Sequence, residues 1–345
     1  MIGAVVGRIG PQTLRIVALV VVLALVVLFF ASQIDHYLNG RLFNRISSSV
    51  AVMALIATGQ TLVILTRNID LSVGSVVGFT AFATGLVIDA VPDLHPLLLV
   101  SFSMLLGAAF GAFNGFFVAY ARVPAIIVTL ATMALFRSAL VELSDGTSIN
   151  TAMLPQWLVQ FPNMRLLEIG SLQFRAGFVA ALLVVLVVHV ALARLRPLRR
   201  LYAVGSNPEA AEMAGINSRR VVFAAFVMAG ALTGLAGFMF LARLGNITVV
   251  AGLGLELKSV AAAVLGGVNI FGGSGTVFGA FIGAVLVDLI DTSLVRWPLV
   301  SEFWREAVLG ALILVAVTAD AVLMRRLVGL KGRRKTRPKA EGAAP

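Results

Sequence analysis

Residues 46–75 read ISSSVAVMALIATGQTLVILTRNIDLSVGS, and the break inside that stretch decides the fold. No charge falls between Ile46 and Thr66, a run close to the ~20 residues that a helix needs to cross a bilayer. Arg67, Asn68 and Asp70 then interrupt it, and a second apolar run opens at Leu71. Strongly polar side chains are expensive at membrane depth, so this link must face protein, water or a cavity.

Outward from that stretch, similar uncharged runs recur at 16–34, 96–121, 177–193 and 221–242. Over 345 residues, 59% are hydrophobic and only 12% charged, with a mean hydropathy of +1.00. A soluble domain of this length needs far more charge to cover its surface, so that class is excluded. The pattern predicts an all-α, polytopic membrane helical bundle of about ten transmembrane helices with broken or re-entrant segments. The spans fall at roughly 15–34, 46–66, 71–89, 97–120, 124–142, 176–194, 220–242, 258–270, 276–293 and 304–323. The eighth and ninth read as two short helices meeting at Gly272-Gly273-Ser274-Gly275. The first resembles a signal peptide, but with so many spans behind it an uncleaved helix is expected.

The net charge of +11 gathers in two clusters, 194–220 and 325–339. Such clusters beside apolar spans retain a loop in the cytoplasm and meet anionic lipid headgroups. Nucleic acid is not the expected partner, because no interleaved aromatics or basic module accompany them. Ten crossings with both termini cytoplasmic put both clusters inside and Asp35, Asp89, Asp93, Asp145, Glu168 and Glu302 outside. The expected organisation is a cytoplasmic N-terminus (1–14), a transmembrane domain (15–323) carrying a cytoplasmic loop (194–220), and a disordered basic tail (324–345).

Three segments carry function. The first is Thr66 to Ser75; the second is Gly266 to Gly275. Both hold Asn-Ile followed by Ser and Gly at a helix break, and paired interrupted segments point to a transport path and an internal repeat. Asn68, Asp70, Ser72, Asn114, Asn269 and Ser274 are the candidate pathway residues. Tight cytoplasmic turns capped by Asn, Asp and Ser explain Asn68 and Asn269 equally well, and a cap is the better reading of Asp70. The third segment runs from Gly205 to Ile216. Asn207 as N-cap, Pro208 at the first helical position and Gly215 as a left-handed stop predict a short helix. Its residues Glu209, Ala210, Ala211 and Glu212 are the candidate contact with a cytoplasmic partner, because two turns of helix need something to dock on.

Glycines spaced four apart (Gly107, Gly111 and Gly115; Gly230 and Gly234; Gly275, Gly279 and Gly283) let helix backbones approach in lipid. For at least two of the three stripes, packing within one subunit is the preferred reading. His36, His95 and His189 show no ligand spacing, so no metal is expected. Cysteines are absent. No cofactor is expected, no phosphate-binding loop is present, and nothing resembles an enzyme acting alone. His189 is expected to hydrogen-bond within the bundle, Arg137 to snorkel or pair, and Trp297 and Trp304 to anchor at the interface.

At the segments Asn68 to Ser75, Tyr202 to Ala211 and Gly266 to Gly275 the sequence resembles the permease subunits of bacterial ABC importers for monosaccharides, the ribose/xylose/arabinose/rhamnose group. The resemblance covers about residues 45–323. It implies a bundle of about ten helices in the bacterial inner membrane and a second permease subunit, identical or paralogous. It further implies cytoplasmic ATP-binding subunits and an external sugar-binding protein. Residues 205–215 would be the helix that couples to the ATPase. Many members have Thr-Gly-Gly-Ile-Asp-Leu-Ser where this chain has Thr66-Arg67-Asn68-Ile69-Asp70. That departure, with Ser301 to Glu306, is similar to the rhamnose and autoinducer-2 branch, with rhamnose favoured. A branched-chain amino acid or nucleoside permease, a stand-alone secondary transporter or channel, and a membrane scaffold are the alternatives.

Overall fold

A computed structural model describes residues 11–297 without a gap, residues 11–14 as backbone only, and positions 299, 301, 304, 306–308, 310, 311, 314, 315 and 318 beyond them. The N-terminal ten residues, most of the span expected at 304–323, and the basic tail lie outside the described residues.

Twelve α-helices and one hairpin make up the described chain. The first half holds α1 (Pro11–Gln33), α2 (Gly40–Leu65), α3 (Val73–Ala90), α4 (Pro96–Ala119) and α5 (Ala125–Ser144). A linker follows, with α6 (Gln156–Gln160), an antiparallel hairpin of β1 (Arg165–Ile169) and β2 (Leu172–Arg175), and α7 (Ala176–Arg194). Then come α8 (Arg196–Ser206), α9 (Pro208–Met213), α10 (Ser218–Leu244), α11 (Leu255–Leu265) and α12 (Val277–Arg296). Eight of these are long and apolar enough to cross a membrane: α1 to α5, α7, α10 and α12.

Two long helices form the axis. α2 is buried along nearly its whole described length from Ser47 to Leu65, and α10 buries one side from Val221 to Ala242. Gly59 brings them together: a Cβ there would sit 3.1 Å from the Ala229 carbonyl oxygen. α10 packs most on α4, then on α2 and α3; α2 in turn packs on α12 and α7 as well as on α10. The glycine stripes explain the closeness. A Cβ on Gly107 of α4 would lie 2.7 Å from Gly234 Cα of α10, and one on Gly111 would lie 3.0 Å from Gly230 Cα. A Cβ on Gly283 of α12 would lie 2.9 Å from the Gly266 nitrogen at the end of α11. Gly107, Gly111, Gly230, Gly234, Gly279 and Gly283 all meet backbone of this same chain.

The eighth and ninth spans differ from expectation. α11 has 11 residues, about 16 Å at 1.5 Å per residue and half of a bilayer core. α12 is a full-length helix of 20 residues. The missing length before α11 is made up by residues 245–254, which run irregularly back into the bundle. Ile247 bridges to Ile149 at the outer end, and the Gly252 carbonyl approaches Gly74 at the start of α3.

The broken segment after α2 therefore has its counterpart after α10, not at 266–275. Arg67 and Gly245 end the two axial helices at φ 68° and φ 64°. Each is followed by Asn-Ile: Asn68-Ile69 and Asn246-Ile247. The halves repeat in inverted sense, α2–α3–α4 answering α10–α11–α12. Irregular backbone inside a bundle needs side chains to satisfy it. Gln60, fully buried, does this in the first half when its amide donates to the Asp70 carbonyl and accepts from the Asp70 N–H, 3.2 Å each. In the second half the Arg137 guanidinium donates to the carbonyls of Val249 (2.9 Å) and Ala251 (2.6 Å).

The hairpin, unforeseen in the sequence, lies over the outer end of α2, where the Gln173 N–H donates to Asn44 Oδ1 at 3.0 Å. Trp297 stacks edge-on against Phe29 and Phe30 of α1. His189 lies beside the Phe278 ring.

Candidate functional site

α8 and α9 follow one another directly and form a pair at the end of α2. α8 turns Leu201, Val204 and Gly205 inward and leaves Arg196, Arg199 and Arg200 exposed. α9 has the caps expected of it. Asn207 Oδ1 accepts from the Ala210 N–H at 3.0 Å, and Pro208 occupies the first turn. Gly215 stands at φ 77°, with its N–H on the Glu212 carbonyl (2.9 Å) and the Ile216 N–H on the Ala211 carbonyl (2.9 Å). Only one face of α9 is docked: Ala211 is buried in the apolar cluster of Leu62, Leu65, Leu201 and Val221. Glu209, Ala210, Glu212 and Ala214 are exposed, and Met213 is 86% exposed.

The three segments singled out in the sequence meet under this pair. The Gly273 N–H donates to the Leu65 carbonyl at 3.0 Å. The Arg67 Nε donates to the Gly205 carbonyl (2.6 Å) and its Nη2 to the Ser206 carbonyl (2.7 Å). Tyr202 donates to the Gly275 carbonyl at 2.9 Å, and burial pushes its phenol above the ordinary tyrosine range, keeping it a donor. Asn269 shapes its loop, its Oδ1 accepting from the Phe271 N–H at 3.1 Å. The Ser274 carbonyl accepts from the Asn269 N–H at 2.9 Å. Asn269 and Ser274 thus sit in a tight turn packed against the α8–α9 pair.

Asp70, Ser72 and Asn114 form one buried network. Asp70 Oδ1 accepts from the Ser72 N–H (2.8 Å) and hydroxyl (2.6 Å), and Asn114 Nδ2 donates to Ser72 Oγ at 2.8 Å. Their exposures of 3%, 0% and 0% leave no room for a solute among them in this conformation. Asp70 and Glu256 each place a carboxylate by the start of a broken helix, where the dipole favours negative charge. Asn68 stands apart. It lines a cavity of about 380 Å³ with Arg122, Glu212, Ser218 and Arg219, and its amide donates to the Thr66 carbonyl at 2.9 Å.

Sequence reasoning missed two features. One is the contact of Arg67 with the end of α8; the residue type signalled only that it must face protein, water or a cavity. The other is how the two carboxylates of α12, Asp288 and Asp291, are held. Lys258 pairs with Asp291 at 2.9 Å, and Ser49 donates to Asp288. The spacing of Lys258 and Asp291, 33 residues apart, gives no local signal of pairing.

The fold and these contacts can be set beside known proteins. The family model described as branched-chain amino acid transport system / permease component matches residues 42–317. The autoinducer 2 import system permease protein LsrC of Enterobacter sp. (strain 638) is 36% identical, over 84% of this chain and 82% of its own. Its namesake from Yersinia enterocolitica serotype O:8 is 37% identical over 89% and 82%, and that from Salmonella paratyphi B is 35% identical over 87% and 85%. No solved structure matches. The chain belongs to this permease family: it is a multi-pass inner-membrane component of a bacterial transport system of the ABC sugar-importer type, and not an enzyme.

Proposed function

We propose that the chain carries a small polyhydroxylated solute inward, as the membrane subunit of an importer driven by separate ATP-binding subunits and fed by an external binding protein. The observation that carries this reading is the α8–α9 pair. A two-turn helix is capped at both ends, docked by one face and left open on the other, directly over the point where three chain segments meet. A helix this short is not stable by itself, and its open face offers a partner the carboxylates of Glu209 and Glu212 beside Met213. The chain has no phosphate loop of its own, so the nucleotide chemistry belongs to that partner. The bundle from residue 15 onward and the loop 194–220 are the proposed division of labour, with a second copy or a paralogue completing the path between two permeases. Asp70, Ser72 and Asn114 are proposed to brace the broken segment beside that path.

Autoinducer-2 is the first solute to test, because the relatives above carry that name; rhamnose is the second, on the Arg67-Asn68 form of the first motif. Uptake of both, labelled, is to be measured in cells with and without the gene. Loss of ATP-dependent accumulation of one of them is the expected result. Unchanged uptake of both, with the protein present in the membrane, would overturn the importer reading for these solutes.

Reversing charge on the open face is expected to uncouple the system. Glu209→Arg should leave the protein folded, because the side chain is exposed, yet lower uptake at least about tenfold by weakening one polar contact with the partner. Normal uptake by this variant would remove α9 from the coupling role.

A further inference from the structure

Arg67 occupies a position that glycine would suit better. Its φ of 68° lies in the left-handed region, which strains a residue with a Cβ. What offsets the cost is visible: the guanidinium spans the carbonyls of Gly205 and Ser206, the last two residues of α8. Helix C-termini leave such carbonyls without intrahelical partners and favour a cation there. The contact is close on every side. Gly272 packs against the Arg67 side chain, and a Cβ at Gly273 would lie 2.5 Å from Ser206 Oγ.

Three residues beyond Arg67, the chain reaches Asp70, which is buried and bound to Ser72 at the start of α3. Ser72 is tied to Asn114 of α4, and Gly74 of α3 touches Gly252 and Glu256, where the second broken segment turns into α11. A short, hydrogen-bonded strut therefore runs from the end of α8 to the meeting point of the two broken helices. α8 also rests on apolar contacts with the membrane helices. Such contacts resist separation but are less specific in direction than a guanidinium bonded to two carbonyls.

We propose that Arg67 is the positioning residue that carries a displacement of the α8–α9 pair to the N-terminus of α3, so that movement imposed at the cytoplasmic face opens or closes the centre of the bundle. This rests on the importer reading above. Replacing Arg67 with glycine removes the strut while relieving the backbone, and thus separates coupling from stability. Arg67→Lys keeps the charge but has one ammonium in place of a fork spanning two acceptors.

The test uses the full permease with its ATP-binding and solute-binding partners in proteoliposomes, supplied with labelled autoinducer-2 or rhamnose, whichever the unmodified complex accumulates. For Arg67→Gly the amount accumulated per ATP hydrolysed is expected to fall about tenfold or more, with the thermal midpoint of the purified permease unchanged or higher. Arg67→Lys should fall between the two. A ratio within about twofold of the unmodified complex, inside the range of an ordinary surface change, would overturn the proposal. So would a lowered ratio accompanied by a lowered thermal midpoint, because Arg67 would then be holding the fold together. If the unmodified complex hydrolyses ATP but accumulates neither solute, the importer reading itself falls, and the role of Arg67 falls with it.

Discussion

Gly205→Ala is expected to abolish transport. The added methyl group has nowhere to go: it would collide with the Leu65 carbonyl oxygen and lie 2.6 Å from the Gly273 nitrogen. Both obstacles are backbone, and they are bonded to each other at 3.0 Å, so neither can rotate away as a side chain would. Either α8 lifts off the end of α2 or the 272–275 turn moves. Overpacking of this kind costs about 1–3 kcal/mol, which a buried bundle of this size absorbs without unfolding. The geometry of the α8–α9 pair does not absorb it, because the Arg67 and Tyr202 bonds depend on the same approach. The check is uptake alongside membrane-resident protein level. Transport should drop to background while the level stays within about half of normal. Normal uptake would mean that the contact between α8 and the end of α2 is not needed in the working cycle.

The second large effect is expected of Gln60→Leu. Leucine is similar in size and apolar, yet it leaves the Asp70 N–H and C=O without the amide that satisfies them. Asp70 is 3% exposed, so water does not replace the lost partner. Each orphaned group costs about 1–3 kcal/mol. The expected result is a permease that extracts poorly or unfolds at clearly lower temperature, measured as the thermal midpoint in detergent. Gln60→Glu serves as the comparison: in its neutral form it keeps an acceptor for the N–H and an O–H donor for the carbonyl, and it should fall between. Equal stability of all three proteins would show that the broken segment is supported otherwise.

The two variants mark the division between what the sequence discloses and what it conceals. Transmembrane runs are legible because the lipid demands them residue by residue, and eight of the ten expected spans lie on long apolar helices. The caps of α9 are legible because Asn207, Pro208 and Gly215 act within one turn. α8 was hidden: its arginines read as a retention signal, and nothing nearby announced that Leu201, Val204 and Gly205 form an inward face. The true partner of the first break was hidden too. Gly245-Asn246-Ile247-Thr248 lacks the charges of Arg67 and Asp70, whereas the glycine-rich 266–275 turn looked more like a break. Left-handed backbone at Arg67 and Gly245, and the reach of Gln60 and Arg137 to rescue distant carbonyls, are properties of packing that composition does not carry. Of the pathway candidates, Asp70, Ser72 and Asn114 come together, while Asn68, Asn269 and Ser274 lie in turns away from them.

α7 gains a purpose from the inverted arrangement. The four helices α2 to α5 cross an even number of times, so the chain leaves the first half on the side where it entered. An upside-down second half has to begin on the other side. Some odd number of extra crossings must therefore stand between the halves, and α7 is that one. Parity explains why a helix whose best apolar stretch is only 28% buried persists at the edge of the bundle. It also gives a rule for cutting the molecule. If the halves are made as separate polypeptides, the second can start at α10 only when its N-terminus is left in the cytoplasm, and α7 then becomes dispensable for direction, though not for the packing it supplies.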